Sequence, residues 1–172
     1  HPTRLAGPLA ATLAGERQSL RLDLRDATFS LLAEAEHAGQ KLQVPRLRLA
    51  AGEARLEAKG ELDLGAQRTF SAEGELQRFD PSRFARLPAG RLNARLTASG
   101  RLAPQPVVDA AFTLQDSQLA GQALSGQGQL NIAWPRIPKA DIELAAGGNR
   151  LSIQGAFGLP GDRIRFAIDA PR

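Results

Sequence analysis

The stretch Glu53-Ala54-Arg55-Leu56-Glu57-Ala58-Lys59-Gly60-Glu61-Leu62-Asp63-Leu64 alternates without a break. Its even positions are apolar or glycine, and every odd position is charged. Successive side chains of a strand point to opposite faces, so a period of two describes a β-strand with one apolar and one polar face. The pattern recurs in both directions. Upstream, Leu20, Leu22 and Leu24 alternate with Ser19, Arg21 and Asp23. Downstream it returns at 70–76, 92–102, 124–134, 151–157 and 164–170. Residues 27–38 hold good helix formers, but Phe29, Leu31, Ala33 and Ala35 alternate and are read as a strand. About twelve such segments fill the 172 residues.

Turn chemistry separates them. Gly15, Gly39, Gly52, Gly65 and the pair Gly147-Gly148 supply positions tolerant of positive φ, and Leu159-Pro160-Gly161-Asp162 reads as a turn. Short connections force neighbouring strands to pair antiparallel, because a parallel pair needs a long crossover. Pro45 shifts the apolar phase from Leu42 and Val44 to Leu47 and Leu49, which predicts a bulge or edge irregularity. Asp80-Pro81 reads as an N-cap followed by proline at the first helical position, so a short helix or turn is expected to about Leu87, an irregularity spanning 79–89.

A sheet with one apolar face must cover that face, and the sequence offers no long amphipathic helix to do so. The sheet can fold on itself as a sandwich, barrel or trough, coil as a solenoid, or take an external apolar ligand. A repeat bears on the choice. Glycine followed by one residue and an apolar residue closes strands at Gly60, Gly74, Gly100, Gly128 and Gly155, the last three intervals being 26, 28 and 27 residues. Periodicity at about two strands points to quasi-one-dimensional repetition. Each glycine lies on the apolar face, where it provides either a bend and close packing or space for a guest. The expected fold is all-β: a long antiparallel meander curled into a U-shaped trough with an apolar interior and at most one or two short helical turns. Twelve strands at about 4.8 Å make a ribbon of roughly 50 Å. Its end strands, near Leu9 and Ile168, should have open edges suited to end-to-end self-association.

The composition excludes much chemistry. The chain has no cysteine, so disulfides, thiolate catalysis and cysteine-ligated zinc are out. His1 and His37 are the only histidines and have no metal-ligand spacing. No G-x-S-x-G elbow occurs, 121–128 lacks the Lys-Ser/Thr end of a phosphate loop, and no specific carboxylate pair is brought together around Asp116, Asp162 or Asp169. No enzyme activity, cofactor or metal is expected. Net charge is +4, and all basic residues but Lys41, Lys59 and Lys139 are arginine. They are interleaved with acids and lack aromatic stacking partners, which speaks against nucleic acid. Trp134, at the apolar end of a strand, is expected to pack. No apolar run is long enough for a transmembrane helix and no signal peptide is visible. That fits a cytosolic chain or an excised or mature piece of an exported one.

The order of F-D-P-S-R-F (79–84), G-R-L-N-A-R-L-T-A-S-G-R-L (90–102) and G-G-N-R-L-S-I-Q-G-A-F-G-L-P-G-D-R-I-R-F-A-I-D-A-P (147–171), with the glycine-terminated strands, resembles the TamB family of translocation and assembly module subunits, AsmA-like proteins of Gram-negative bacteria. The resemblance covers most of the chain, from R-L-A-G (4–7) to residues 169–171. It implies a periplasmic segment of a protein anchored in the inner membrane and reaching towards an outer-membrane partner, TamA. It also implies a β-groove, the β-taco, with roles in phospholipid transport and in assembly of client β-barrel proteins. The family's N-terminal anchor is missing, so residues 1–172 are expected to be one repetitive interior segment. Phospholipid acyl chains would then contact Leu22, Leu56, Leu62, Phe70, Leu76, Leu96, Phe112, Leu130, Ile132, Ile142, Ile153 and Phe166. Two other readings stand beside the conduit: a module that captures unfolded client strands at its edge, and a structural spacer.

Overall fold

The structure, a computed structural model, describes residues 6–15, 17–83 and 86–170. His1, Arg4, Leu5, Phe84 and Pro171, which figure in the sequence reading, lie outside them. The strands are β1 (Leu9–Ala14), β2 (Arg17–Arg25), β3 (Phe29–Ala38), β4 (Lys41–Ala51), β5 (Ala54–Asp63), β6 (Thr69–Phe79), β7 (Gly90–Arg101), β8 (Val107–Leu119), β9 (Gln122–Ala133), β10 (Arg136–Ala146), β11 (Asn149–Phe157) and β12 (Ile164–Asp169). They form one 12-stranded sheet in chain order, each neighbouring pair antiparallel. The stretch 27–38, rich in helix formers, is strand β3, because its alternation matches an apolar row of β2 and β4.

The turns follow backbone chemistry. Gly39, Gly52 and Gly147 sit at φ near +60° between their strands. The β8–β9 turn is Ala120-Gly121, both at positive φ as a type I′ hairpin requires. Its first position is alanine, a residue with a side chain held at positive φ. The short helix or turn expected from Asp80 begins where the capping motif places it. One 3-10 turn, Pro81–Arg83, is formed among the described residues. Asp80 Oδ1 accepts hydrogen bonds from the Ser82 N–H (3.1 Å), the Ser82 hydroxyl (2.8 Å) and the Gly90 N–H (3.1 Å). It is thus engaged at both ends of the β6–β7 connection.

These hydrogen bonds hold the Asp80 carboxyl below the ordinary aspartate range, with Arg83 adding to them. Asp26 is lowered in the same way by the N–H groups of Thr28 and Phe29, both at 2.7 Å, in the β2–β3 turn. A carboxylate with a depressed folded pKa contributes stability above its unfolded pKa of about 3.9 and loses it as pH falls through the folded value. Stability should therefore fall below about pH 4, and Asp80→Asn should flatten part of that decline. Denaturant melts from pH 6 to pH 2.5 would check this. Identical pH profiles for variant and parent would refute the assignment.

Bulges interrupt the ladders. The expected one at Pro45 is present as a register shift between Val44 and Leu47. Others lie between Leu76 and Phe79 of β6, between Leu114 and Ser117 of β8, and near Pro138 of β10. The β6 and β8 bulges each place a residue at positive φ, Arg78 (+52°) and Asp116 (+47°), and Asn93 of β7 joins them. Asn93 Oδ1 accepts the Arg78 N–H (2.9 Å), and its Nδ2 donates to the Asp116 carbonyl (2.7 Å). Ser117, 2% exposed, accepts the Asn93 N–H at 2.8 Å and has the Asn93 and Gln115 carbonyls within 3.0 and 3.1 Å of its hydroxyl. Ser117→Ala leaves a buried N–H without its partner, so it should cost about 1–3 kcal/mol in urea unfolding. A loss below ~0.5 kcal/mol would mean that water replaces the hydroxyl.

Full burial is otherwise rare. Ala94, Leu124 and Ala140 are the buried apolar side chains of the sheet. The chain exposes 12426 Å², against about 8,100 Å² for a compact monomer of its mass. Apart from the 3-10 turn resting on β7, each strand makes its substantial contacts with its sequence neighbours. The molecule is an open, single-layered ribbon, an arrangement that suits a groove. No second layer covers either face among the described residues.

Candidate functional site

Register turns the sequence's one-sided pattern into rows that run along the ribbon. One row crosses all twelve strands: Leu9, Leu22, Ala33, Leu47, Ala58, Gly74, Leu96, Phe112, Gly128, Ile142, Ile153 and Phe166, each paired with the next. A second runs beside it from β2 to β12: Leu24, Leu31, Leu49, Leu56, Leu76, Ala94, Leu114, Gly126, Leu144, Leu151 and Ile168. On the other side lies a row of mostly small residues from β4 to β12: Val44, Gly60, Ala72, Ala98, Ala110, Leu130, Ala140, Gly155 and Ile164. A fourth contains Leu42, Leu62, Phe70, Gly100, Val108 and Ile132.

From β4 onward these rows contain no polar side chain. All twelve residues expected to line a groove fall on this one face. Leu22, Leu96, Phe112, Ile142, Ile153 and Phe166 share the first row, Leu56 and Leu76 the second, Leu130 the third, and Leu62, Phe70 and Ile132 the fourth. Same-face rows are two residues apart, about 6.8 Å, so four rows make a face about 20 Å wide. Eleven strand spacings make it about 50 Å long.

The motif glycines do not form one line of bends. Gly74 and Gly128 lie in the first row, Gly60 and Gly155 in the third, Gly100 in the fourth. The space above Gly128 is taken by the protein itself, since a β-carbon there would run into the Phe112 ring and crowd Ile142. That favours close packing over room for a guest at this position.

The opposite face is a ladder of cross-strand polar pairs. Arg48 meets Glu57 at 3.2 Å, Arg21 meets Glu34 at 3.3 Å, and Lys59 pairs with Glu73, which raises the lysine pKa. Asn131 donates to Asp109 at 2.7 Å and Gln154 to Asp141 at 3.2 Å. Each pair sits directly opposite in register. Exposed pairs of this kind add little stability singly, but like charges opposite one another would disfavour the register, so they help to select it.

This polar face also borders a broad cleft. It holds about 710 Å³, crosses β4 to β10, and is lined by triplets such as Lys59-Gly60-Glu61, Ser71-Ala72-Glu73, Thr97-Ala98-Ser99 and Gln129-Leu130-Asn131. In each of these, two of the three side chains belong to the polar face. The sequence gives no sign of this cleft, because it depends on how the whole sheet curves.

Trp134 does not pack as expected. It sits in the β9–β10 turn and is 78% exposed. His37 lies at the margin of the apolar face, between Gln18 and Leu42. No group of three or more metal-ligating side chains comes together among the described residues.

The fold and this face define a class, an open antiparallel β-ribbon with one continuous apolar side. No family model, curated protein or solved structure matches the chain.

Proposed function

We propose that the apolar face is a path for phospholipid acyl chains, and that the chain is a non-catalytic segment of a TamB-like periplasmic bridge between the inner and outer membranes. The observation that carries this reading is the first apolar row, unbroken over twelve strands and left uncovered. A membrane hydrocarbon core is about 30 Å thick, so one acyl chain spans about 15 Å and fits across a 20 Å face. Covering that face is favourable by about 25 cal/mol per Å² of apolar area. A face without polar anchors holds a lipid without fixing it at one point, which suits sliding. TamA and client β-barrels are the protein partners that the family resemblance suggests for such a bridge. A second reading, capture of unfolded client strands, draws on the uncharged edge strand β1.

Site-specific photo-crosslinking in membranes separates the faces. A crosslinker at Leu56 or Leu130 should capture phospholipid, and one at Lys59 or Gln129 should not. Lys59 and Gln129 line the polar cleft. Preferential capture there would move any ligand to the other side of the sheet and overturn the conduit.

A further inference from the structure

The long margin formed by the β5–β6, β7–β8, β9–β10 and β11–β12 turns has a composition of its own. Each of these turns carries one exposed large apolar side chain: Leu64, Leu102, Trp134 and Leu159 in turn. Beside each stands one exposed arginine: Arg68, Arg101, Arg136 and Arg163. Backbone contacts set the turns side by side in pairs. The Leu102 N–H donates to the Arg68 carbonyl at 3.1 Å. Gly158, where a β-carbon would run into Arg136, lets the last two turns close up. Turns on the same margin are two strand spacings apart, about 9.6 Å.

Leu64, Leu102 and Trp134 stand two residues beyond Leu62, Gly100 and Ile132 of the fourth apolar row, so apolar side chains continue from the face to the tips of these turns. The arginines are open to an anion. None of the four forms an ion pair among the described residues. The acids of the same turns are engaged with backbone: Asp63 accepts the Gly65 N–H and Asp162 the Leu159 N–H, both at 2.7 Å. The opposite margin differs. Its turns hold Asp26, Glu53 and Asp80, while the β8–β9 and β10–β11 turns, Ala120-Gly121 and Gly147-Gly148, have neither a charge nor a large apolar side chain. The β6–β7 connection is the exception there, with Leu87, Arg83 and Arg86 exposed.

A lipid lying across the face therefore meets a graded order towards the arginine margin: hydrocarbon rows, then leucine and tryptophan, then guanidinium. A bilayer leaflet is matched in the same order, with tryptophan at its interface and cations drawn to its anionic surface. We propose that this margin is a rail for phospholipid phosphates, so that each lipid on the apolar face lies with its acyl chains across the rows and its phosphate at Arg68, Arg101, Arg136 or Arg163. A guanidinium pairs with phosphate through two parallel hydrogen bonds. Sites of equal kind repeated every hairpin favour passage from one to the next over retention at any of them. This orientation rests on the acyl-chain path proposed above and adds to it the side on which the head travels.

Trp134 is the single tryptophan of the chain, so its fluorescence reports on the rail directly. The 172-residue chain is loaded with phosphatidylglycerol carrying a nitroxide quencher either on the head or at the end of an acyl chain. The head label should quench Trp134 more strongly. In Trp134→Phe combined with Gln122→Trp, which moves the reporter to the opposite margin, the order should reverse. Arg68→Gln, Arg101→Gln and Arg136→Gln together should weaken binding by about fivefold for each arginine removed, and the difference should shrink at high salt. Arg86→Gln, Arg91→Gln and Arg150→Gln together, towards the other margin, should leave binding unchanged. Equal quenching by both labels at both positions would overturn the rail and leave the acyl-chain path standing. So would head-label quenching seen only with intact phosphatidylglycerol vesicles and not at one lipid per chain, which would assign the arginines to a bilayer surface. No quenching by either label at either position would remove the acyl-chain path and the rail with it.

Discussion

Replacing Leu62, Leu96 or Ile153 by aspartate is expected to reduce phospholipid capture at least tenfold while leaving the sheet folded. Each sits in the apolar face between apolar or glycine partners: Leu62 between Leu42 and Phe70, Leu96 between Gly74 and Phe112, Ile153 between Ile142 and Phe166. None is fully buried, so a carboxylate at these positions stays hydrated while the face is empty. An acyl chain lying across it would strip that water. Burying an unpaired polar group costs about 2 kcal/mol or more, and 1.4 kcal/mol is already tenfold in affinity. Native mass spectrometry of co-purified lipid reads the effect, with circular dichroism melts confirming the fold. Lys59→Asp on the polar face is the control and should leave lipid capture unchanged. Undiminished binding in all three apolar-face variants would remove the conduit reading.

Gly155→Ala should be strongly destabilising for so conservative a change, on the order of 2–4 kcal/mol. Gly155 has φ of +146°, where residues with a side chain are strained, and a β-carbon there would collide with the Arg163 carbonyl. Gly128→Ala is the informative comparison. There the nearest obstacle is the Phe112 ring, the mobile end of a side chain, so a smaller loss of about 1 kcal/mol is expected. The damage at Gly155 should also stay local. Because each strand makes its substantial contacts with its sequence neighbours, hydrogen-exchange protection should drop in β11 and β12 and persist in β5 to β9. A uniform drop along the whole chain would show instead that the ribbon melts as one unit.

Most of the architecture was legible in the sequence because a period of two is a direct statement about faces. Leu56 and Glu57 lie on opposite sides of any strand, whatever their neighbours are. Pro45 announced its bulge for the same reason, by displacing the alternation around it. What escaped the sequence depends on partners across the sheet. Asn93 and Ser117 look like ordinary polar residues until register brings them between two bulges. The bulges at Arg78 and Asp116 use non-glycine residues at positive φ and leave no compositional mark. Asp80 was recognised as a cap, but its bond to Gly90, ten residues away, leaves no mark in a local motif. Trp134 was misplaced because position in the alternating phase does not reveal where a hairpin turns. The residues of the apolar face could be picked out as a set, whereas their alignment into rows required the register, bulges included.

The hairpin period carries a consequence for how such a chain can change in length. From Gly74 to Gly155 the recurring glycines lie 26, 28 and 27 residues apart, one pair of strands with its turns. Each pair adds two strand spacings, about 9.6 Å. Duplicating one such unit in tandem would lengthen the sheet while every other side chain keeps its face and direction. Inserting a single strand would reverse the direction of everything after it. The coding sequence is therefore a ruler graduated in hairpins, and the ribbon changes length by gaining or losing whole graduations.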